Sequence, residues 1–190
     1  MGLSIEDGTG KGYQASVDNE NHLEVHGVIE TIPYYLNKTH ASLYSMVFND
    51  GSAATAGTND SLLYIKNSSD STLVIFSFEM CSDTANFWYL KTGVTATATT
   101  GGNVTAVTPT NLNASSGNTA EGTFITDDGD TMLLTGGSEI ARWYVTANLM
   151  YTVNLGGGVV LKKNDTIGLF KVTTGADTFL GHITFGYFND

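Results

Sequence analysis

The segment GTGKGY, residues 8–13, carries the glycines and the lysine of a phosphate-binding loop. Such a loop has the spacing G-x-x-x-x-G-K-[ST], in which backbone N–H groups surround the phosphates and the hydroxyl reaches a metal ion. Here Lys11 follows Gly10, but Ile5 stands five positions before Gly10, and Gly12 follows Lys11. The spacing therefore argues against a nucleotide site and favours a glycine-rich arm that leads into a hairpin.

Two further clusters have residue types that bind metal ions, but neither has the spacing of a metal site. His22 and His26 are four residues apart, which on a helix would place both on one face. The residues around them alternate as in a strand, where positions i and i+4 lie roughly 13 Å apart. Residues 127–130, DDGD, lack the alternating ligands and distant glutamate of a calcium loop, and Asp-Gly is a common hairpin turn. We therefore predict no metal ion and no cofactor.

The sequence also lacks a recognisable catalytic pattern. It has no G-x-S-x-G motif of the kind that exposes a nucleophilic serine. Its acidic residues are scattered over predicted turns and loops, although a spatial pair of carboxylates for glycoside hydrolysis stays open at this point. The single cysteine, Cys81, lies in an apolar run and is expected to be a buried hydrophobe. We predict no catalytic residue and no enzymatic activity.

Charge and hydropathy exclude two classes of partner. The 190-residue chain has 8 Lys and Arg against 19 Asp and Glu, a net charge of -11, whereas nucleic-acid binding needs a cationic surface. No stretch approaches the length of an apolar membrane span. The N-terminus has neither a basic start nor an apolar run, so no secretory signal is predicted and synthesis in the cytoplasm is expected.

The elements that would position any site are short strands separated by turn signals. Residues 1–35 are predicted to form an N-terminal arm and a β-hairpin, and residues 36–190 a β-sandwich or a β-barrel. The strands 62–67 and 73–80 are predicted to pair as a hairpin. The other predicted strands are 86–91, 94–100, 104–112, 119–126, 131–134, 139–146, 149–154, 159–161, 166–174 and 178–188, with a short helix or strand at 41–48.

Aromatic residues on these strands are the remaining candidates for a binding site. Alternation places Trp88 on the face opposite Phe87 and Tyr89, and Trp143 stands beside Tyr144 on another strand. An exposed aromatic row would stack on sugar rings or fill a subunit interface. Packing in the core is the more frequent role for large aromatic residues. Trp88 and Trp143 are therefore candidate glycan or interface residues, with the core as the alternative.

Four segments, in order, resemble a known family. They are GTGKGYQASVDNENHLEV, LLYIKNSSDSTLVI, NVTAVTPTNLNASSGNTAEGTF, and the ending KKNDTIGLFKV with FLGHITFGYF. They are similar to tailed-bacteriophage virion proteins of the capsid decoration type, in which the patterns GTGxGYxAxVxxxNxLxV and xTAVTPxNLNxxSxNxA recur. The likeness spans most of the chain, and the order of the segments is more specific than any one of them.

The resemblance implies an all-β fold, a jelly-roll-like β-sandwich with an N-terminal arm and hairpin. It also implies a non-enzymatic protein on the capsid surface of a virion, with the major capsid protein and two further copies of itself, as a homotrimer, for partners. The segment 1–31 would contact neighbouring subunits, through Gly8, Gly10, Lys11, Gly12 and Tyr13. The alternative is a carbohydrate-binding module or fibre head that recognises a host surface.

Overall fold

The computed structural model describes residues 16–17, 23–24, 31–50, 60–97, 105–126, 133–172 and 178–188. The chain divides into two compact units, Met1–Thr31 and Ile32–Asp190. In the first unit, strand β1 (Ser16–Val17) pairs antiparallel with strand β2 (Leu23–Glu24). The rest of the predicted arm and hairpin, within 1–30, lies outside the described residues.

The second unit begins with a short helix, α1 (Ile32–Tyr35), which continues into a π-helical turn (Leu36–His40). Everything else that is regular in its described part is β-strand. The strands are β3 (Leu43–Asp50), β4 (Asp60–Asn67), β5 (Thr72–Ser82), β6 (Asn86–Thr97), β7 (Thr105–Ala106), β8 (Thr110–Asn111), β9 (Gly122–Thr126), β10 (Leu133–Val145), β11 (Tyr151–Leu161), β12 (Thr166–Val172) and β13 (Phe179–Phe188).

These strands form two antiparallel sheets in jelly-roll order. One sheet has the order β11-β5-β13-β3-β8, and the other has the order β10-β6-β12-β4-β9-β7. Strands β3 to β6 alternate between the two sheets, and β10 to β13 do so again, which is the double Greek key of a jelly roll. The short strands β7, β8 and β9 come from the connection between β6 and β10 and extend one edge of each sheet. The predicted all-β jelly-roll sandwich is confirmed.

The core lies between the inner faces of the two sheets. Its buried side chains alternate with exposed ones, because successive residues of a strand point to opposite faces. On β3, for example, Tyr44, Met46 and Phe48 are buried, whereas Val47 is 63% exposed. This period of two explains why 41–48, which the sequence left open between helix and strand, is a strand. Other core residues include Leu63, Ile65, Ile75, Phe78, Trp88, Leu90, Ile167, Leu169, Ile183 and Phe185.

The predicted hairpin of 62–67 with 73–80 is wrong in its pairing. Both strands exist, as β4 and β5, but β4 pairs with β12 and β9 while β5 pairs with β11 and β13. The turn between them crosses from one sheet to the other. The Asn67 amide holds the turn by donating hydrogen bonds to the carbonyls of Ser71 and Leu161, both at 2.9 Å. Both sheets bury one face, so alternation alone does not identify the partner of a strand.

Three predicted breaks between strands lie inside long strands, and the one in β11 is a β-bulge. The predicted strands 86–91 and 94–100 belong largely to β6, which has Gly93 at φ 69°. The predicted strands 149–154 and 159–161 are joined in β11, where the register shifts between Asn154 and Val159 and Gly157 has φ 79°. The third is the Gly136-Gly137 pair inside β10. Glycine adopts positive φ without steric cost, so it permits the local kink while the ladder continues on either side.

Candidate functional site

The predicted arm contacts cannot be placed on the structure. Gly8, Gly10, Lys11, Gly12 and Tyr13 lie outside the described residues. Their role in contacting other subunits therefore stays a prediction.

The two tryptophans face the core. Trp88 on β6 and Trp143 on β10 stand directly opposite each other in adjacent strands. Trp88 is 0% exposed, and the Trp143 ring packs against the core with its centroid 6.5 Å from that of Phe78. Trp88 is therefore wrong as a glycan or interface residue, because a ligand cannot reach it. Trp143, partly buried, has its ring turned toward the core rather than toward solvent.

On β6 and β10, the aromatic side chains that point outward belong to the residues next to the tryptophans in sequence. Phe87 and Tyr144 are 48% and 53% exposed, and their rings meet edge to face at 5.1 Å between centroids. Next to them on the same outer face, the rings of Tyr89 and Phe170 stack at 5.1 Å with an angle of 7°. This second pair is buried although it lies outside the sandwich core.

Cationic side chains cover the stacked pair. Lys91 Nζ lies 5.2 Å from the ring centre of Phe170, and the Arg142 guanidinium lies 5.3 Å from that of Tyr89. Arg142 also donates two hydrogen bonds to Glu139, at 2.9 and 2.7 Å, and thereby lowers the pKa of that carboxyl. Burial raises the pKa of Tyr89, against the smaller opposing effect of Arg142. These cation–π contacts leave the Phe87–Tyr144 pair as the accessible aromatic surface of this face.

A loop built from asparagines closes one end of the sandwich. The Asn111 Nδ2 donates to the carbonyls of Ala41 at 2.7 Å and Asn118 at 3.2 Å, and its Oδ1 accepts the N–H of Asn113 at 2.8 Å. The Asn113 amide donates in turn to the carbonyl of Asn37 at 3.0 Å. Ala41 has the left-handed φ of 48°. The loop thus fixes the backbone that follows the π-helical turn.

The side chains that make these hydrogen bonds lie in the segment NVTAVTPTNLNASSGNTAEGTF, one of the four that carry the family resemblance. In the pattern NLNxxSxNxA the polar positions are Asn111, Asn113, Ser116 and Asn118. Ser116 Oγ accepts the N–H of Asn118 at 3.0 Å, and the Asn118 amide donates to the His40 carbonyl at 3.3 Å. The sequence predicts strands at 104–112 and 119–126, so residues 113–118 are expected only as the connection between them and these hydrogen bonds are not predicted. The signal was the two-residue spacing of asparagines, which is typical of side chains that bond the backbone two residues on.

The same end of the sandwich contains a groove made of two adjoining cavities. Their volumes are about 340 and 500 Å³, and they share Ser42, Asn118 and Tyr187. The first cavity also has Tyr44, Ser69, Ser71, Gly117, Thr119 and Glu121 in its wall, and the second has Tyr35, Leu36, His40 and Phe188. Hydroxyl and amide groups therefore line the groove together with aromatic rings.

Two phenols of the groove, those of Tyr187 and Tyr44, have a pKa that burial raises. Tyr187 Oη donates to the carbonyl of Glu121 at 2.8 Å, and burial raises the pKa of Tyr187 far above its ordinary value of 10.0. Burial also raises the pKa of Tyr44, whose ring packs against Tyr187. At the groove mouth, Tyr35 is 44% exposed, and its Oη lies 3.3 Å from His40 Nε2. The groove thus presents hydroxyl, amide and phenol groups and aromatic rings beside the carboxyl group of Glu121, a combination that suits a polar ligand.

Across the part of the chain that the structure describes, no group of three or more His, Cys, Asp or Glu side chains has the geometry to hold a metal ion. In these same segments, no helix has the length and apolar character of a membrane span.

The comparisons with known proteins give no match. No family model, no curated protein and no solved structure matches the chain. The residues themselves are therefore the basis for a functional proposal.

Proposed function

We propose that this protein is a non-enzymatic structural protein of a virion, a capsid decoration protein that trimerises and binds the outer surface of the capsid. The observation that carries the proposal is the jelly-roll strand order, an architecture that viral capsid and lectin domains use. A fold alone does not determine a function, because unrelated proteins use the same one. The sequence resemblance to tailed-bacteriophage virion proteins supports the virion over the other uses of the fold.

The hydrogen bonds of the asparagine loop add support to that resemblance. A likeness confined to surface residues without contacts would say little about structure. Here Asn111 and Asn113 fix the backbone around Ala41 and Asn37 through short hydrogen bonds. The matching positions are thus positions on which the local fold depends, so the likeness in this stretch supports a similar local structure.

The N-terminal segment is the part proposed to bind the capsid. Residues 1–31 carry six acidic residues and one basic residue, Lys11. The glycines at 8, 10 and 12 would let the arm lie flat along another protein, with Tyr13 as an apolar anchor. Ordering such an arm costs conformational entropy, which many repeated contacts on a virion lattice offset through avidity.

Cosedimentation with purified capsids of the virus that encodes the protein tests the proposal. Deletion of residues 1–12 is expected to abolish binding while the second unit stays folded. The matched control replaces residues 1–12 with a Gly-Ser segment of the same length, and it should fail to bind as well. Capsid binding by both variants at the level of the unaltered protein would disprove the role of the arm, and no binding by the unaltered protein would disprove the decoration function.

A second candidate function, carbohydrate binding, is favoured by the groove at the end of the sandwich. Its hydroxyls, amides and exposed Tyr35 ring are the groups that recognise sugars. A glycan array with the unaltered protein, Tyr35→Ala and Tyr144→Ala tests it. Binding that is lost only in Tyr35→Ala would support this function at the groove, binding lost only in Tyr144→Ala would move it to the outer face, and no binding by any form would rule against it.

A further inference from the structure

One side of the sandwich is formed by two edge strands. Strand β10 is the last strand of the six-stranded sheet and β11 the last of the five-stranded sheet, and residues 146–150 connect them. Within the described residues, each pairs on one side only, β10 with β6 and β11 with β5. We refer to β10, the connection 146–150 and β11 together as the edge side.

The edge side is nearly free of charge in a strongly acidic protein. The nineteen residues 143–161 contain no Asp, Glu, Lys, Arg or His, although the chain has a net charge of -11. The described charges nearest to them on β10 are Glu139 and Arg142, which neutralise each other in an ion pair of 2.7 Å. This side therefore carries little of the negative charge of the protein, a property that it shares with the uncharged stretch 92–120.

Apolar side chains are exposed along the edge side. Ile140 and Val160 are 47% and 50% exposed and stand at a cavity of about 400 Å³ that opens between the two sheets down to Leu90. In the connection, Leu149 and Met150 are 59% and 56% exposed. Exposed apolar clusters of this kind mark surfaces that contact another protein.

Bulges determine how such a contact can form. The register of β10 shifts between Glu139 and Ala141, and that of β11 shifts between Asn154 and Val159. A bulge interrupts the row of backbone groups that a further strand would need for pairing. A partner on this side is thus held by side-chain packing rather than by an added strand.

We infer that the edge side is the contact between copies of this chain, with β10 of one copy facing β11 of the next. The inference rests on the trimer in the proposed function and gives that trimer its interface. Two acidic copies repel each other, so they meet most favourably where neither carries net charge. A cationic partner would instead gain from the acidic surface. Around a threefold axis, β10 of each copy contacts one neighbour and β11 contacts the other, so the contact is head to tail and closes into a ring of three.

Light scattering after size-exclusion chromatography, with sedimentation velocity over a concentration series, tests the inference. The unaltered protein should have about three times the mass of the 20.2 kDa chain. The double variant Ile140→Lys, Val160→Lys should dissociate, with the dissociation constant raised by roughly thirty-fold or more, since buried apolar anchors carry most of the affinity of an interface. The control Val47→Lys, Leu180→Lys makes the same charge change at positions 63% and 51% exposed and should keep the mass.

The alternative outcomes are distinct. A monomeric unaltered protein, an oligomeric Ile140→Lys, Val160→Lys variant, or dissociation of the control to the same degree would each overturn the inference. If the first variant does not fold, as judged by near-ultraviolet circular dichroism, Leu149→Lys, Met150→Lys in the exposed connection replaces it with the same expectation. Cosedimentation of each form with capsids tests the proposed function separately from the edge-side contact. A monomer that still binds capsids would refute the edge-side contact and leave the proposed function intact.

Discussion

Replacement of Asn111 by alanine should destabilise the protein more than its partial exposure suggests. The side chain makes two short hydrogen bonds, from Nδ2 to the Ala41 carbonyl at 2.7 Å and from the Asn113 N–H to Oδ1 at 2.8 Å. Two further bonds from Nδ2, to the Asn118 carbonyl at 3.2 Å and to Ser116 Oγ at 3.3 Å, are longer. Alanine removes all four and leaves a carbonyl in a left-handed turn without this donor.

The expected loss follows from these bonds. A hydrogen bond in a folded protein contributes about 0.5 to 1.5 kcal/mol net, and more when its removal leaves a buried group unpaired. Two short bonds and two long, weak bonds that share the Nδ2 donor give a loss of about 2 to 3 kcal/mol in the free energy of unfolding. In a protein of 150 to 250 residues this lowers the melting temperature by about 4 to 12 °C.

Urea denaturation and calorimetry measure the effect against a matched control. Asn154→Ala removes one exposed bond, from Gly156 N–H to Asn154 Oδ1 at 2.9 Å, and should cost less than about 1 kcal/mol. Asn111→Asp keeps the acceptor for the Asn113 N–H and loses the amide donors, so its free energy of unfolding should be lower than that of the unaltered protein. If Asn111→Ala is no less stable than Asn154→Ala, the loop does not fix the end of the sandwich and the reasoning is refuted.

Two further measurements check the core and the groove. Trp88→Ala should lower the free energy of unfolding by about 3 to 5 kcal/mol. Phe87→Ala, at the exposed neighbouring position, should lower it by about 1 kcal/mol or less. Similar losses for the two variants in urea denaturation would contradict the faces assigned to them. Because folding raises the pKa of Tyr187 above the unfolded value of 10.0, its contribution to stability is complete below pH 10 and is lost as the pH rises beyond that value. Stability measured from pH 8 to 11 should fall less steeply in Tyr187→Phe than in the unaltered protein, and identical slopes would exclude this cause.

The sequence predicts the class of fold well because one physical signal dominates it. Period-two alternation, as in Tyr44, Met46 and Phe48, follows directly from the geometry of a strand with one buried face. Glycine and asparagine between such segments mark the ends of strands in many places. The same alternation placed Trp88 and Phe87 on opposite faces, although it did not say which face was the inner one.

Pairing and bulges required information that is not local. Strands β4 and β5 are adjacent in sequence and still belong to different sheets, because pairing depends on where β12 and β13 lie. Glycines such as Gly93 serve equally well in a turn and inside a continuous strand, since glycine adopts positive φ in both. The groove was not predictable for a related reason: it joins Ser42, Asn118 and Tyr187, which only the assembled fold brings together.

The bulges of the edge strands have a second consequence. Strands β10 and β11 are 13 and 11 residues long, and long open edges invite unlimited pairing between molecules. Proteins commonly prevent this with lysine or other charges along the edge, but the stretch 143–161 has none. Charges there would oppose the self-contact that we infer. A bulge at Ile140 in one strand and at 155–158 in the other limits strand pairing without adding charge, so the side is protected against fibre formation and still suited to a closed contact between copies.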